Sequence, residues 1–183
     1  MGEDMVPILL KAAKESNGKT IDIVMEHELP GITEEMYQWW GKNMGETRLY
    51  KMWHPDHVSF EIEKTNNPKY PVIAHPTERI GKYGPSTMAF TGEPKSMFPF
   101  KPKYKHYGVG SHYAKDGTLL SYTYSEHEEG PNGLKIRAVH RWPAKVPQDL
   151  VDALIKHCTE ETNNFPKFLP ALYKKEGKKT TKK

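Results

Sequence analysis

The sequence predicts an α+β fold in which a curved antiparallel sheet closes on one long C-terminal helix around a cavity. Several segments alternate apolar and polar residues, as half-buried strands do. The segment that starts near Pro147 instead places its apolar residues at the i, i+3, i+4 and i+7 spacing of a helix. The chain has 183 residues, enough for one domain with a substantial core and too few for two comfortable ones.

The first elements are a helix, a strand and a short helix. VPILLKAAKES has helical spacing and ends at Asn17-Gly18, a helix C-cap signal. KTIDIVMEHEL alternates as a strand does, and Pro30-Gly31 ends it. Thr33 is a good N-cap for a second helix over ITEEMYQWWGKN.

The middle of the chain predicts strands and turns. Leu49 to Trp53 looks like one strand, Pro55 breaks the chain within HPDH, and the next strand follows. Two short extended pieces lie around Gly81 and Gly84. MFPFKPKYKHYGVG, rich in proline and aromatic residues, predicts a loop or edge segment that covers another part of the protein.

The last two elements are a hairpin and the long helix. The hairpin GTLLSYTYSEHEEGPNGLKIRAVHRWP turns at GPNG. The expected partners across the turn are Leu120, Tyr122 and Tyr124 on one strand and Leu134, Ile136 and Ala138 on the other. The helix begins at Pro147, and Pro166 and Pro170 are expected to bend or end it.

Composition excludes several classes of protein. Charged residues make up 27% of the chain and the mean hydropathy is −0.78, which predicts a soluble protein that does not span a membrane. The N-terminal segment lacks the pattern of a secretory signal. A single cysteine, Cys158, excludes an internal disulfide and a zinc finger. It fits a reducing compartment, and we expect a cytoplasmic protein.

The net positive charge belongs to the C-terminus. Residues 174–183 contain six lysines and one glutamate, a local charge of six minus one, or +5. This exceeds the net charge of +4 of the whole chain. A nucleic-acid-binding face would need such residues on the folded body, so no nucleic-acid partner is expected. We predict one domain over residues 1–173 and a disordered lysine-rich tail over residues 174–183.

Two residues of the last helix have the spacing of metal ligands. His157 and Glu161 are an i, i+4 pair, so their side chains can converge on one point. Glu160 is turned by roughly 100° from Glu161 and can face solvent. The alternative is an exposed His–Glu pair, which is the commoner meaning of this loose pattern.

A second candidate site is the turn YKMWHPDH. His54 and His57 flank Pro55 there, and imidazoles held by a rigid turn are plausible ligands. The alternative is a surface loop with two solvated histidines. Aromatic residues nearby could form the wall of a pocket for a flat ligand: Trp39, Trp40, Tyr50 and Trp53.

Further candidates lie on the strands. Glu78 in HPTERIG would be costly to bury unless it were paired or metal-bound, and otherwise it is an exposed strand residue. His127 and His140 could point into the cavity as hydrogen-bond donors. Tyr122 and Tyr124 lie near them, although tyrosines in strands commonly serve cross-strand packing.

Taken together, the segments MYQWWGKN…RLYKMWHPDH, ERIG and HCTEETNNFPKFLPALYKK resemble the 2,4-diacetylphloroglucinol hydrolase family. The resemblance runs from about Leu29 to Tyr173. It implies a helix-grip fold of the Bet v 1 and START type with a zinc site in the cavity. Family hydrolases are longer, with extra chain before the WW segment and in the middle.

The resemblance also implies roles for individual residues. It maps the zinc ligands, two histidines and two glutamates, to His54, Glu78, His157 and Glu161. It matches His57 to a neighbouring polar position that faces the substrate, and either His54 or His57 could be the ligand. It matches His127 to a cavity histidine that binds a phenolic oxygen. Catalysis needs a general acid as well, and the available candidates are His57, His127, Tyr122 and Tyr124.

The implied function is hydrolysis of a carbon–carbon bond in a small aromatic polyketide, which removes an acyl group from a phenolic ring. A cyclase that adds a phenol oxygen across an alkene could use the same metal pocket. A hydrophobic ligand carrier is the third alternative, because helix-grip proteins often carry ligands without catalysis. The sequence also allows a homodimer.

Overall fold

A computed structural model describes residues 2–177 and shows eight antiparallel strands in one sheet against four α-helices. The helices are α1 (Met5–Ser16), α2 (Glu34–Asn43), α3 (Thr47–Trp53) and α4 (Gln148–Glu176). The strands are β1 (Thr20–Pro30), β2 (His57–Lys64), β3 (Val72–Ile80), β4 (Tyr83–Thr87), β5 (Ala89–Glu93), β6 (His106–Tyr113), β7 (Leu119–Gly130) and β8 (Gly133–Pro143). The strand order is β1-β8-β7-β6-β5-β3-β2, and β4 pairs with β3.

The architecture confirms the predicted fold class. The sheet curves around α4, and the buried face of this helix contributes to two hydrophobic clusters. Leu150, Val151 and Leu154 join the cluster that contains α1, whereas Phe165 and Leu169 join the cluster under α2 and α3. One helix therefore contributes buried residues to both clusters. Within residues 2–177, no helix is both long and apolar enough to cross a membrane.

The predicted ends of the first helices are confirmed. Asn17 caps α1 in the left-handed conformation with φ 48°, and Gly18 follows at φ 78°. Thr33 caps α2, and its side chain accepts the Met36 backbone N–H at 3.2 Å. Local capping chemistry alone was enough to locate these ends.

The strand predicted from Leu49 to Trp53 is wrong, because these residues form α3. Leu49 and Tyr50 are both buried, and the Trp53 ring packs against the Phe165 ring at a centroid distance of 5.4 Å. Consecutive strand residues point to opposite faces, whereas a helix brings i, i+1 and i+4 to one side. The helical period therefore explains why all three side chains face the interior.

The β7–β8 hairpin is confirmed, but the predicted register is wrong. Tyr124 pairs with Val139, and His127 pairs with Ile136. The strands continue to Gly130 and Gly133, so β7 is longer than expected. The register differs by an odd number of residues, which turns every side chain of β7 to the opposite face.

Helix α4 ends neither at Pro166 nor at Pro170. Its buried residues continue past both prolines, through Leu169 and Leu172. It also continues over residues 174–176, the beginning of the predicted tail. Residues 178–183 of that tail lie outside the described part of the chain.

Candidate metal centre

Three elements bring two histidines and two glutamates to one point. His57 is the first residue of β2, Glu78 lies near the end of β3, and His157 and Glu161 lie one turn apart on α4. His57 and Glu78 are partners in the β2–β3 ladder. Pairing of these strands and packing of α4 against β3 are therefore enough to assemble the cluster.

The distances within this cluster fit a tetrahedral metal ion. His57 Nε2 lies 3.2 Å from Glu161 Oε2 and 3.5 Å from Glu78 Oε2. His157 Nε2 lies 3.7 Å from the same oxygen of each glutamate. Zinc binds nitrogen and oxygen at about 2.0–2.1 Å, so tetrahedral ligands lie about 3.3–3.4 Å apart. The observed separations require only small adjustments.

The hydrogen bonding of the imidazoles also fits a metal. Within residues 2–177, three buried ring nitrogens of the cluster have no hydrogen-bond partner: Nε2 of His57 and both nitrogens of His157. His57 Nδ1 lies 2.8 Å from the backbone oxygen of Tyr50 and donates to it. This bond fixes the tautomer and leaves the lone pair of Nε2 directed at the carboxylates.

Tyr50 supports the cluster in two further ways. Its ring stacks on His57 with centroids 3.9 Å apart and an interplanar angle of 4°. Its hydroxyl donates to Glu78 Oε2 at 2.8 Å. Trp53 supports the other side, since its Nε1 donates to the backbone oxygen of Glu161 at 3.0 Å. Helix α3 therefore holds groups from β2, β3 and α4 in place.

The local charges favour the ionised form of Glu78. Burial alone would raise the pKa of Glu78, but the neighbouring His157 and His57 lower it to about 2. Burial alone would lower the pKa of His157, and Glu78 and Glu161 outweigh that effect and raise it. Glu78 thus offers an anionic oxygen ligand, and a divalent cation bound beside it would be stabilised by this charge.

His54 lies beside this cluster, although the sequence resemblance mapped it as the first ligand. One ligand atom each from His54, His57 and His157 lies within 4.8 Å of the others. The nearest carboxylate oxygen to His54 Nε2, however, belongs to the half-exposed Glu160, at 3.5 Å. The structure therefore favours His57 over His54 as the histidine whose nitrogen joins the two partly buried glutamates.

A cavity of ≈ 520 Å³ lies between the sheet and α4. Glu78, His157 and Glu161 line it. Tyr50 and Trp53 line it too, as expected for residues of an aromatic wall. Trp40 is instead buried among Trp53, Phe165 and Phe168, and Trp39 packs against Tyr173, so these two tryptophans are part of the core under α2.

The placement of Tyr122 and Tyr124 is a correction. They lie on the outer face of the sheet, where Tyr124 packs against Phe98 and Phe100 at centroid distances of 5.7 and 5.8 Å. These phenylalanines belong to the proline-rich segment, which covers the outer face as predicted for a covering segment. The odd register shift of the hairpin explains why both tyrosines are turned away from the cavity.

His127 shares the inner face but does not reach the metal cluster. Its ring stacks on His106 at 5.1 Å and meets the edge of Tyr37 at 5.0 Å. Tyr37 in turn lines the cavity. His127 thus contacts the cavity through Tyr37, a residue that the sequence analysis did not single out.

Other cavity residues were also missed. These are His112 and the alternating hydroxyl residues Ser121, Thr123 and Ser125, which line the cavity. His140, a candidate from the sequence, lines it beside them. The signal was present in β7, because its odd-numbered positions from 121 to 125 are all small and polar. The large tyrosines at even positions had suggested the opposite orientation.

Comparison with known proteins agrees with this architecture. A family model described as "DAPG hydrolase PhiG domain" matches residues 13–89. That stretch includes His54, His57 and Glu78, whereas His157 and Glu161 follow it. No curated protein sequence matches the chain.

Similar solved structures include BexL, a di-domain ARO/CYC from the BE-7585A biosynthetic pathway. BexL is 12% identical with a TM-score of 0.57, over 82% of this chain and 50% of BexL. Ara h 8.0201 is 10% identical with a TM-score of 0.55, over 84% of this chain and 99% of that one. A START superfamily protein from Mycobacterium smegmatis is 10% identical with a TM-score of 0.52, over 85% and 99%.

At these identities the solved structures establish the fold alone. This chain spans half the length of BexL. The protein has the START/Bet v 1-like helix-grip fold, and its residues 13–89 match the DAPG hydrolase family, which confirms the resemblance predicted from the sequence.

Proposed function

We propose that the protein is a zinc-dependent enzyme that removes an acyl group from a phenolic polyketide by hydrolysing the carbon–carbon bond to the ring. The observation that carries this proposal is the convergence of His57, Glu78, His157 and Glu161 beside an apolar cavity. The match to the DAPG hydrolase domain supports the reaction class.

The four residues would hold the ion. Bound zinc supplies a Lewis acid that polarises a carbonyl and lowers the pKa of water. Neutral imidazoles and carboxylates are ligands suited to zinc, which needs no redox chemistry. The Tyr50 backbone and hydroxyl orient His57 and Glu78, so the donor atoms are positioned before the ion binds.

Hydrolysis of the acyl–aryl bond consumes one water, and the acyl carbon becomes a carboxylic acid. The ring carbon must receive a proton, because an aryl carbanion is a poor leaving group. Tyr37 lines the cavity, and burial together with the charge of Glu161 raises its pKa to about 12. A neutral phenol at this position can donate a hydrogen bond or a proton to the substrate, and we propose Tyr37 for this role.

A cyclase that conserves the mass of its substrate is the second candidate. Its support is the fold similarity to BexL, whose description names an ARO/CYC. A ligand carrier is less well supported, because carrying a hydrophobic ligand does not need four convergent metal ligands. The substrate in either reaction would be a small aromatic polyketide.

The test combines metal analysis with product mass. Purified protein is incubated with zinc, desalted and assayed for bound metal, and then for turnover of 2,4-diacetylphloroglucinol. We expect one equivalent of zinc, and a smaller phenol plus acetate as products. His157→Ala and Glu161→Gln should lose both properties, whereas the control His75→Ala, on the outer face of β3, should keep them.

The outcomes separate the candidates. A product of unchanged mass from an alkene-bearing phenol would favour the cyclase. Protein that holds no stoichiometric zinc, and whose ligand binding survives His157→Ala, would be a carrier, and the enzymatic proposal would then be wrong.

A further inference from the structure

Four polar side chains form a continuous patch on the cavity wall made by β6, β7 and β8. His112 pairs with Ser121 across β6 and β7, and Thr123 pairs with His140 across β7 and β8. Directly opposite residues of antiparallel strands share a face, and all four side chains line the cavity. We call these four residues the histidine wall.

Each imidazole of the histidine wall has one nitrogen satisfied by a hydroxyl. Ser121 Oγ lies 3.1 Å from His112 Nδ1, and Thr123 Oγ1 lies 3.4 Å from His140 Nδ1. The other nitrogen of His140 meets only the thiol of Cys158, a weak partner, at 3.8 Å. Among the described residues, the hydrogen bond of the His112 ring is made through Nδ1, which leaves Nε2 without a protein partner. A polar group in an apolar cavity costs free energy unless it is hydrogen-bonded. A ligand that forms hydrogen bonds with these two nitrogens would therefore be favoured.

The surroundings of the histidine wall define the chemistry of that partner. The Phe90 ring lies 4.9 Å from the His112 ring, and Trp142 also lines the cavity, which provides flat apolar surface for a ring. Burial lowers the pKa of both His112 and His140 to about 4, so both imidazoles are uncharged near neutral pH. Among the described lining residues Lys42 alone is a lysine or arginine, and it is exposed.

An uncharged imidazole can accept from a hydroxyl or donate to a ketone, but it does not offset the charge of a carboxylate or phosphate. We propose that the histidine wall is a subsite for hydroxyl or keto oxygens of an uncharged aromatic ligand. The inference rests on the proposed function only for the position of the reacting acyl group at the metal cluster. The hydrogen-bonding subsite itself requires no metal.

The experiment measures the affinity of two probes that differ in ring hydroxyls, 2,4,6-trihydroxyacetophenone and acetophenone. Calorimetry is done with zinc-loaded protein and with protein stripped by a chelator. We expect the hydroxylated probe to bind about 10-fold or more tightly in both forms, since each neutral hydrogen bond contributes about 3- to 10-fold. Persistence of this preference without zinc separates the subsite from the proposed zinc chemistry.

The variants assign the preference to particular residues. His112→Leu and His140→Leu should each weaken the hydroxylated probe by about 3- to 10-fold and leave acetophenone unchanged. His112→Gln, which keeps a polar side chain, should recover part of the loss. His75→Leu, a histidine on the outer face, is the matched control and should change neither affinity.

Three results would overturn the inference: wild-type protein that binds both probes equally or not at all, leucine variants that keep the wild-type preference, or equal losses for both probes. The last result would indicate a merely structural role. A third probe tests the charge of the ligand. The anion 2,4,6-trihydroxybenzoate should bind more weakly than 2,4,6-trihydroxyacetophenone, and tighter binding would contradict an uncharged ligand.

Discussion

Replacing Tyr50 with phenylalanine tests how strongly the surroundings of the cluster determine its metal affinity. The change removes only the hydroxyl that donates to Glu78 Oε2 at 2.8 Å. The backbone oxygen that accepts from His57 Nδ1 and the ring stacked on His57 both remain. Any loss of affinity therefore reports on the orientation of Glu78 alone.

Two independent magnitudes agree on the expected effect. A hydrogen bond to a charged group contributes about 1.5–3 kcal/mol. Loss of a hydrogen bond that orients a metal ligand typically weakens metal binding by about 10- to 100-fold, which corresponds to about 1.4–2.8 kcal/mol. We therefore expect the zinc Kd of Tyr50→Phe to rise by about 10- to 100-fold.

The assay is competition for zinc between the protein and a chromophoric chelator. Tyr113→Phe is the matched control, because it removes a phenol–carboxylate hydrogen bond of 2.9 Å, to Glu93, on the outer face of the sheet. Thermal unfolding of both metal-free variants shows whether they fold alike. A Tyr50→Phe protein that binds zinc as tightly as the wild type and Tyr113→Phe would refute a metal cluster oriented by Tyr50.

Three other outcomes follow from the same structure. Zinc at about 100 times its Kd should stabilise the fold by about 2.7 kcal/mol, and differential scanning fluorimetry should show a higher Tm that a chelator reverses; an unchanged Tm would contradict binding to the folded state. The pKa of His112 and His140 is about 4 in the folded protein and about 6.5 when unfolded, so stability present in full above pH 6.5 should be lost as the pH falls toward 4; urea unfolding at several pH values should show a shallower dependence in His112→Gln, and an unaltered one would count against buried neutral imidazoles. Gly110→Ala should destabilise the protein by about 1–3 kcal/mol in urea unfolding, because the new Cβ would lie 2.3 Å from the Phe90 ring, whereas Gly108→Ala has open space and serves as the control.

The local signals of the sequence predicted much of the fold. Capping at Asn17 and Thr33 depends on neighbouring residues only, so the sequence placed those helix ends correctly. Leu49 to Trp53 is too short for its periodicity to separate helix from strand, and packing against α4 decided in favour of the helix. The prolines of α4 are tolerated because tertiary packing of its buried face continues past them.

For the candidate site, too, the sequence predicted what depends on local spacing and missed what depends on tertiary structure. The spacing of His157 and Glu161 on one helix was visible in the sequence, and the structure brings both toward Glu78. The choice between His54 and His57 depends on how the chain turns after α3, which spacing does not determine. Which residues of β7 face the cavity depends on the register of the hairpin. The predicted register was wrong by an odd number of residues, so it placed Tyr122 in the cavity instead of the small polar residues on either side of it.

The cluster joins helix α4 to one edge of the sheet, the paired strands β2 and β3. β2 is an edge strand, at the opposite end of the strand order from β1. A cation bound by side chains of β2, β3 and α4 would cross-link this edge of the sheet to the helix. Without the cation, the amide protons of β2 and β3 should exchange faster than those of β1 and β8, so metal binding would oppose local opening of the sheet at this edge.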